Sequence, residues 1–189
     1  MHDKINPLIL SVSHVSSHSL DKIKRLISYV HVKKGEPVTT VGRANNLEYF
    51  LIEGICKSFL HTPDGEEVTI SFFMSNSIIS PSTTRNKEGR SMINIHALTD
   101  VEIATINADE FEKLMVEDLE IRNFGNTVLR NELMKKVEKE IALASLRGKE
   151  RLQLLRNSYH NLENLVPHSD IASYLGMTTI TLSRLRTQS

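Results

Sequence analysis

Apolar positions along this chain change their period twice. Between about residues 26 and 106 they alternate with polar positions at a spacing near two, the period of a strand with one buried face. The pattern predicts strands at 26–32, 38–41, 47–53, 55–61, 67–74, 91–97 and 101–106. Turn residues fall between them: Lys34-Gly35, Gly42, Gly54, Asp64-Gly65, Gly89 and Thr99-Asp100. Asp64-Gly65, set between Phe59-Leu60 and Val68-Thr69-Ile70, has the form of a hairpin turn. Many short strands at this spacing make a β-sandwich, a jelly roll or a small barrel. Ahead of them, residues 1 to about 25 read as a short helical lead-in, ending in the amphipathic stretch 20–27.

After Ala108 the period becomes helical. A short helix at 109–115, capped by Asn107, precedes a stretch from 117 to 146 that holds no proline and, as glycine, only Gly125. At about 1.5 Å per residue this is roughly 45 Å of helix. Ile121, Phe124, Val128, Met134, Val137, Ile141 and Ala144 step mostly by three and four, with a break near Asn131, as in an imperfect heptad seam. Such a helix packs either on its own β-domain or on a second chain. Its length exceeds what one small β-domain covers, so pairing with a second copy is the expectation. The chain then divides into a β-roll sensing domain at 1–116, a dimerisation helix at 117–146 and a small helical domain at 147–189.

That last segment has its own grammar. Arg147-Gly148-Lys149 reads as a hinge, followed by a helix around 150–157 and a loop ending in Pro167. Two short helical patterns then flank Gly176. Ala172 is the small residue where two helices can touch, and Gly176, four later, tolerates the positive φ of a tight turn. Ile171 and Leu175 on one side, Leu182 and Leu185 on the other, hold both helices down, and Thr178 can cap the second. This is the spacing of a helix-turn-helix; an ordinary αα-corner would share part of it. In the DNA-binding reading the second helix enters the major groove. Its outward face carries Thr179, Ile180, Ser183, Arg184 and Thr187. Arg184 is the candidate for a bidentate guanine contact, with Thr179 and Ile180 placed for base edges or a thymine methyl. Thr178, Ser169 and Arg186 are the candidate phosphate contacts.

Charge sharpens the picture. The whole chain is neutral, with 23 basic and 23 acidic side chains, which by itself disfavours a polyanion binder. Residues 147–189 nevertheless carry six basic groups against three acidic, while residues 1–146 carry 17 against 20. A basic end sits on an acidic body, the polarity that phosphate contacts require. A single cysteine excludes a disulfide framework, a four-thiolate zinc site and a four-cysteine iron–sulfur cluster. Cys56, in a predicted strand, reads as a small buried hydrophobe. His14 and His18, four apart, lack a companion Glu and read as surface histidines, so no metal is expected. The acidic run Asp109-Glu110, Glu112, Glu117-Asp118, Glu120 reads as a solvated helix face. No phosphate loop, nucleophile elbow or Ser/His/Asp set points to catalysis. No run of 18 apolar residues predicts a membrane span, and no signal peptide opens the chain, so a soluble cytoplasmic protein is expected.

A β-rich domain, one long helix and a C-terminal helix-turn-helix, in that order, resemble the Crp/Fnr family of bacterial transcription regulators. Lys34-Gly35-Glu36, Gly42 and Tyr49-Phe50-Leu51-Ile52-Glu53-Gly54 are similar to the opening of a cyclic-nucleotide-binding domain. Asp64-Gly65-Glu66-Glu67 is similar to its next hairpin, and Ile95 to Asp100 with Val101 to Ile106 to its closing strands. Ile171-Ala-Ser-Tyr-Leu-Gly176 and Thr181-Leu-Ser-Arg-Leu-Arg186 are similar to the helix-turn-helix of a branch common in Bacteroidetes. The resemblance implies an α+β fold: an N-terminal β-roll or jelly roll, a long dimerisation helix and a small helical helix-turn-helix domain. It implies a homodimer on a near-palindromic double-stranded operator, with RNA polymerase and a small-molecule effector as further partners.

The nucleotide site departs from the family. Its Phe-Gly-Glu element is replaced by Ser77-Ile-Ile-Ser-Pro-Ser-Thr-Thr84, where the Gly and Glu are absent and Pro81 removes an amide donor. Arg90-Ser91 stands where the phosphate-holding pair would be, and with Ser80 and Ser82 forms the candidate ligand-contacting set; Arg90 as a plain surface charge beside the Gly89 turn is the alternative. Cyclic AMP is not the expected effector, and no resident cofactor is expected. The chain stops three residues after Arg186, with no room for the β-wing of longer relatives, so fewer flanking phosphate contacts are expected. Two readings compete with a regulated repressor or activator. One is a ligand-binding or protein-interaction module whose helix-turn-helix does not read DNA specifically. The other is a constitutive regulator with a dead pocket.

Overall fold

In the computed structural model, which describes residues 4–80 and 83–187, two helices open the chain: α1 (Ile5–Val12) and α2 (Ser17–Arg25). The single lead-in helix expected from the sequence is thus broken. Ser16 takes an extended backbone between them and caps α2 by accepting from the Ser19 N–H. Eight strands follow: β1 (Ser28–Val32), β2 (Pro37–Thr39), β3 (Leu47–Glu53), β4 (Cys56–His61), β5 (Glu67–Phe73), β6 (Ser77–Ile79), β7 (Asn94–Ala97) and β8 (Val101–Asn107). They make two four-stranded sheets, ordered β1-β8-β3-β6 and β2-β7-β4-β5. Pairing within the first sheet is antiparallel, with Phe50 opposite Ala104 and Tyr49 opposite Ile79. The expected strand at 91–97 begins only at Asn94, and β6 was not expected at all. β6 pairs with β3 for three residues, too short a run to announce itself by periodicity.

Six helices complete the described chain: α3 (Ala108–Glu117), α4 (Leu119–Ser145), α5 (Gly148–Ser158), α6 (Leu162–Leu165), α7 (His168–Tyr174) and α8 (Thr179–Thr187). Asn107 caps α3, its Oδ1 accepting from the N–H groups of Asp109 and Glu110. The long helix starts later than the sequence suggests. Asp118 leaves the helical backbone, closes α3, and accepts from the Glu120 and Ile121 N–H groups to start α4.

The chain forms two compact units. One is built from the stretches up to Lys57 and Phe72–Leu133; the other from Ser58–Ser71 and the chain from Met134 onward. In the first, β3 and β8 are buried on both faces, which is why they read as nearly continuous apolar runs. Tyr49, Leu51, Val101 and Ile103 point into the roll with Cys56, Ile79, Ile95 and Ala97. Phe50, Ile52, Ala104 and Ile106, one step out of phase, meet Ile5, Leu8, Ile9, Leu20, Ile23, Phe111, Ile121 and Phe124 from the helices. The turn before β4 depends on Gly54: it takes φ +95, and a Cβ there would lie 2.5 Å from the Asp100 carbonyl oxygen.

This core takes half of the predicted seam. Ile121 and Phe124 are fully buried in the first unit, with Val128 packed beside them. Beyond the break at Asn131, Leu133, Met134, Val137 and Ile141 are exposed. The break is the point at which the apolar stripe of α4 changes from one face to another.

Candidate nucleic-acid interface and sensor pocket

In the second unit, α7 and α8 meet at a turn whose chemistry follows from three residues. The Gly176 N–H donates to the Ser173 carbonyl and the Met177 N–H to the Ala172 carbonyl, each at 3.0 Å, the paired bonds of a Schellman turn. Gly176 takes φ +62 to make them, and a Cβ there would approach Leu143 Cδ2 at 3.1 Å. Thr178 caps α8: its Oγ1 accepts from the Thr181 N–H at 3.1 Å and lies 3.0 Å from the Thr181 hydroxyl. Ile171, Ala172, Leu175 and Leu182 are buried, so they anchor the pair while the opposite face of α8 stays in solvent.

That face gathers Thr179, Ile180, Ser183, Arg184 and Thr187, all exposed, at the i, i+1, i+4, i+5, i+8 spacing of one helix side. Thr178 and Ser169 are exposed at the starts of α8 and α7. Arg186 stands apart: its Nε donates to Glu163 Oε1 at 2.9 Å and its Nη1 lies 3.1 Å from His168 Nδ1. Arg156 grips the same carboxylate at 2.6 Å. Glu163 is held below the ordinary glutamate range, first by the Arg156 hydrogen bond. Sequence spacing gave no hint of this clamp, because its three members lie on α5, α6 and α8.

The first unit contains a cavity of about 340 Å³ on the helix-facing side of β3. Glu48 and Phe50 line it, and the roll-facing residues Tyr49 and Leu51 do not. Of the candidate ligand contacts, Ser80 lines this cavity. Arg90 and Ser91 are not among its lining residues. Arg90 is exposed and donates to the Gly42 carbonyl at 2.8 Å. Ser91 is buried and donates to the Ile93 carbonyl at 2.7 Å. Ser82 and Pro81 lie outside the described residues. The arginine that does line the cavity is Arg85, unremarked in the sequence. It donates to Glu48 Oε1 and, at 3.1 Å, to the Asn45 carbonyl. Asn45 Oδ1 in turn accepts from the Tyr49 hydroxyl at 2.9 Å. Burial pushes that phenol up to about 12, so it stays a donor. Burial likewise pushes the Cys56 thiol up to about 12, so it stays protonated. His14 and His18 are exposed and do not share a helix. Among the described residues no three His, Cys, Asp or Glu side chains stand together as a metal site. No helix among them is long and apolar enough to cross a membrane.

Residues 29–118 match the cyclic nucleotide-binding domain family. Over 187 aligned residues the chain is 22% identical to the nitrogen fixation regulation protein FixK of Bradyrhizobium diazoefficiens, covering 93% of this chain and 77% of that one. The structure of FixK2 from Bradyrhizobium japonicum superposes with a TM-score of 0.73 at 19% identity, covering 86% of this chain and 83% of that one. The c-di-GMP responsive global regulator CLP of Xanthomonas campestris gives 0.71 at 15% identity, covering 92% and 91%. At these identities the two structures show that the chain shares their fold over most of its length.

Proposed function

We propose, from a chain that belongs by its domain order and its cyclic nucleotide-binding domain to the Crp/Fnr family of transcription regulators, that this protein is a homodimeric, sequence-specific DNA-binding regulator. The observation that carries the reading is the α7–α8 pair, with its Schellman turn, its Thr178 cap and its row of exposed polar side chains on α8. In this reading α8 lies in the major groove. Arg184 pairs with a guanine, and Thr179, Ile180 and Ser183 touch neighbouring base edges. Thr178 and Ser169 hold phosphates, and Arg186, already committed to Glu163, braces α8 behind them. Two such helices on a two-fold axis meet successive major grooves about 34 Å apart, which makes the operator a near-palindrome. We assign residues 1–116 to sensing, 117–146 to dimerisation and 147–189 to DNA. The protein works without catalysis, in the cytoplasm, with RNA polymerase as its further partner. The helix-turn-helix resemblance to the branch common in Bacteroidetes stays part of this proposal.

The effector is not cyclic AMP in this reading. Support comes from Arg90, which is exposed and turned to the Gly42 carbonyl, and from the missing Gly and Glu of the nucleotide element. Ser82, Arg90 and Ser91 remain the proposed contacts for an anionic ligand at the roll, whereas Ser80 lines the cavity on the other side of β3 and is not one of them.

Operator selection from random duplexes followed by gel shift tests the reading. A selected near-palindrome that loses about 1–3 kcal/mol per half-site with Arg184→Ala, at one base position, is the expected result. Equal binding to selected and random DNA would instead favour a module whose helix-turn-helix serves protein contacts.

A further inference from the structure

We propose that the cavity on the helix-facing side of β3 is a binding site for a small organic cation, separate from any nucleotide site inside the roll. At about 340 Å³ it falls within the range of small-molecule sites. Three of the chain's six phenylalanines converge on it: Phe50 from β3, Phe111 from α3 and Phe124 from α4. Their rings form one cluster. Phe50 and Phe124 are stacked, with centroids 6.5 Å apart and planes 12° apart. Phe111 meets Phe124 edge-on at 6.3 Å and 88°. Rings set at two orientations can offer a ligand both a face and an edge, and a ring face attracts positive charge.

The polar part of the wall has the complementary sign. Glu48, Asp109 and Glu112 line the cavity against one guanidinium, Arg85, which is engaged by Glu48 and by backbone carbonyls. Asp109 and Glu112 lie in exposed positions on α3, neither of them in an ion pair among the described residues, and set negative charge beside an apolar aromatic floor. An aromatic floor with a carboxylate rim is the chemistry that recognises ammonium ligands. A cyclic nucleotide phosphate would meet repulsion there. Gly125 is buried on α4 at the cavity wall, and the Met115 thioether occupies the place that a Cβ on it would take.

The site is a property of the first unit and stands or falls independently of DNA reading. The probe is benzyltrimethylammonium, with 3-phenylpropionate as an anion of the same size, titrated against the full chain by ligand-observed NMR. The expected result is that the cation binds at least about tenfold more tightly than the anion. Leu129→Trp, which puts an indole at a partly exposed position of the cavity wall, should abolish that binding. Glu112→Gln, an exposed change that removes one charge and leaves the shape, should weaken cation binding severalfold without weakening the anion. Equal or tighter binding of the anion, absence of cation binding, or unchanged cation binding in Glu112→Gln would overturn the proposal. If Leu129→Trp fails to give a cooperative melt, the Glu112→Gln comparison decides alone.

Discussion

Arg186 donates to one oxygen of Glu163 at 2.9 Å while Arg156 donates to the other at 2.6 Å, so one carboxylate ties α8 to α6 and α5. This separates two arginines that the sequence presents as a pair. Glu163→Gln should lower the stability of the helical unit by about 1–2 kcal/mol, since both arginines are only partly screened by solvent. The carboxylate is depressed by its partners, so its contribution is present above the ordinary glutamate range and lost as pH falls through the depressed value. Thermal melts should therefore show wild type and Glu163→Gln converging below about pH 4. By the same logic Arg186→Ala should lower Tm, whereas Arg184→Ala, at an exposed position, should leave Tm unchanged.

Asp118 does three jobs at one corner: it caps α4, accepts from the Ser19 hydroxyl at 2.8 Å and pairs with Lys22 at 2.7 Å. Lys22 foremost, then Ser19 and the Ile121 N–H, draw its carboxyl down to about 2. Asp118→Asn should cost about 1–3 kcal/mol at neutral pH. The linkage sign is that of a depressed acid: the advantage of wild type is full above about pH 4 and disappears as pH falls toward 2. Urea denaturation of both proteins across that window measures it. A difference that persists undiminished at pH 2 would refute the assignment.

Residues legible in the sequence were those whose role is local. Asn107 and Thr178 act within three residues of themselves, and Gly54 and Gly176 each satisfy a backbone angle that only their own turn imposes. The strands of the roll were legible because β3 and β8 carry side chains into two cores. What escaped was made by long-range juxtaposition. Arg85 reaches Glu48 across 37 residues, and nothing in the periodicity of either stretch signals it. β6 exists because β3 offers it an edge. The apolar stripe of α4 is split in the structure, Ile121 and Phe124 going to the chain's own core, and a heptad step cannot say which neighbour, that core or a second copy, a residue will face.

Lys139 extends its ammonium over the Tyr174 ring, 3.9 Å from the centroid, and donates to the Ile70 carbonyl at 2.6 Å. Burial foremost, with Lys136 nearby, lowers its pKa to about 8. Here the sign reverses. A lysine with a depressed pKa carries a desolvation cost that is full below pH 8 and is relieved as pH rises from about 8 toward the unfolded value near 10.5. Wild type should therefore gain stability relative to Lys139→Met across that interval, read as a converging or crossing pair of Tm curves. Parallel curves from pH 7 to 10.5 would show that the ammonium is as well solvated as in the unfolded chain.

Leu133, Met134, Val137 and Ile141 are exposed on α4 at heptad-like steps, with Ile141 58% accessible and Leu133 62%. Ile121 and Phe124, nearer the start of the same helix, are already buried, so those two positions of the stripe cannot face a partner. Burying these side chains between two helices would remove apolar surface from water, the main favourable contribution to association. A charge in the middle of the stripe should undo it with little effect on the fold, because the position is exposed in the single chain. Ile141→Glu should convert a dimer to a monomer in sedimentation velocity, keep its cooperative melt, and lose operator binding at protein concentrations where wild type saturates. Ala144→Glu, at the stripe's margin, should have a smaller effect. If Ile141→Glu sediments as wild type does, the seam lies elsewhere on the chain and the exposed stripe serves another partner.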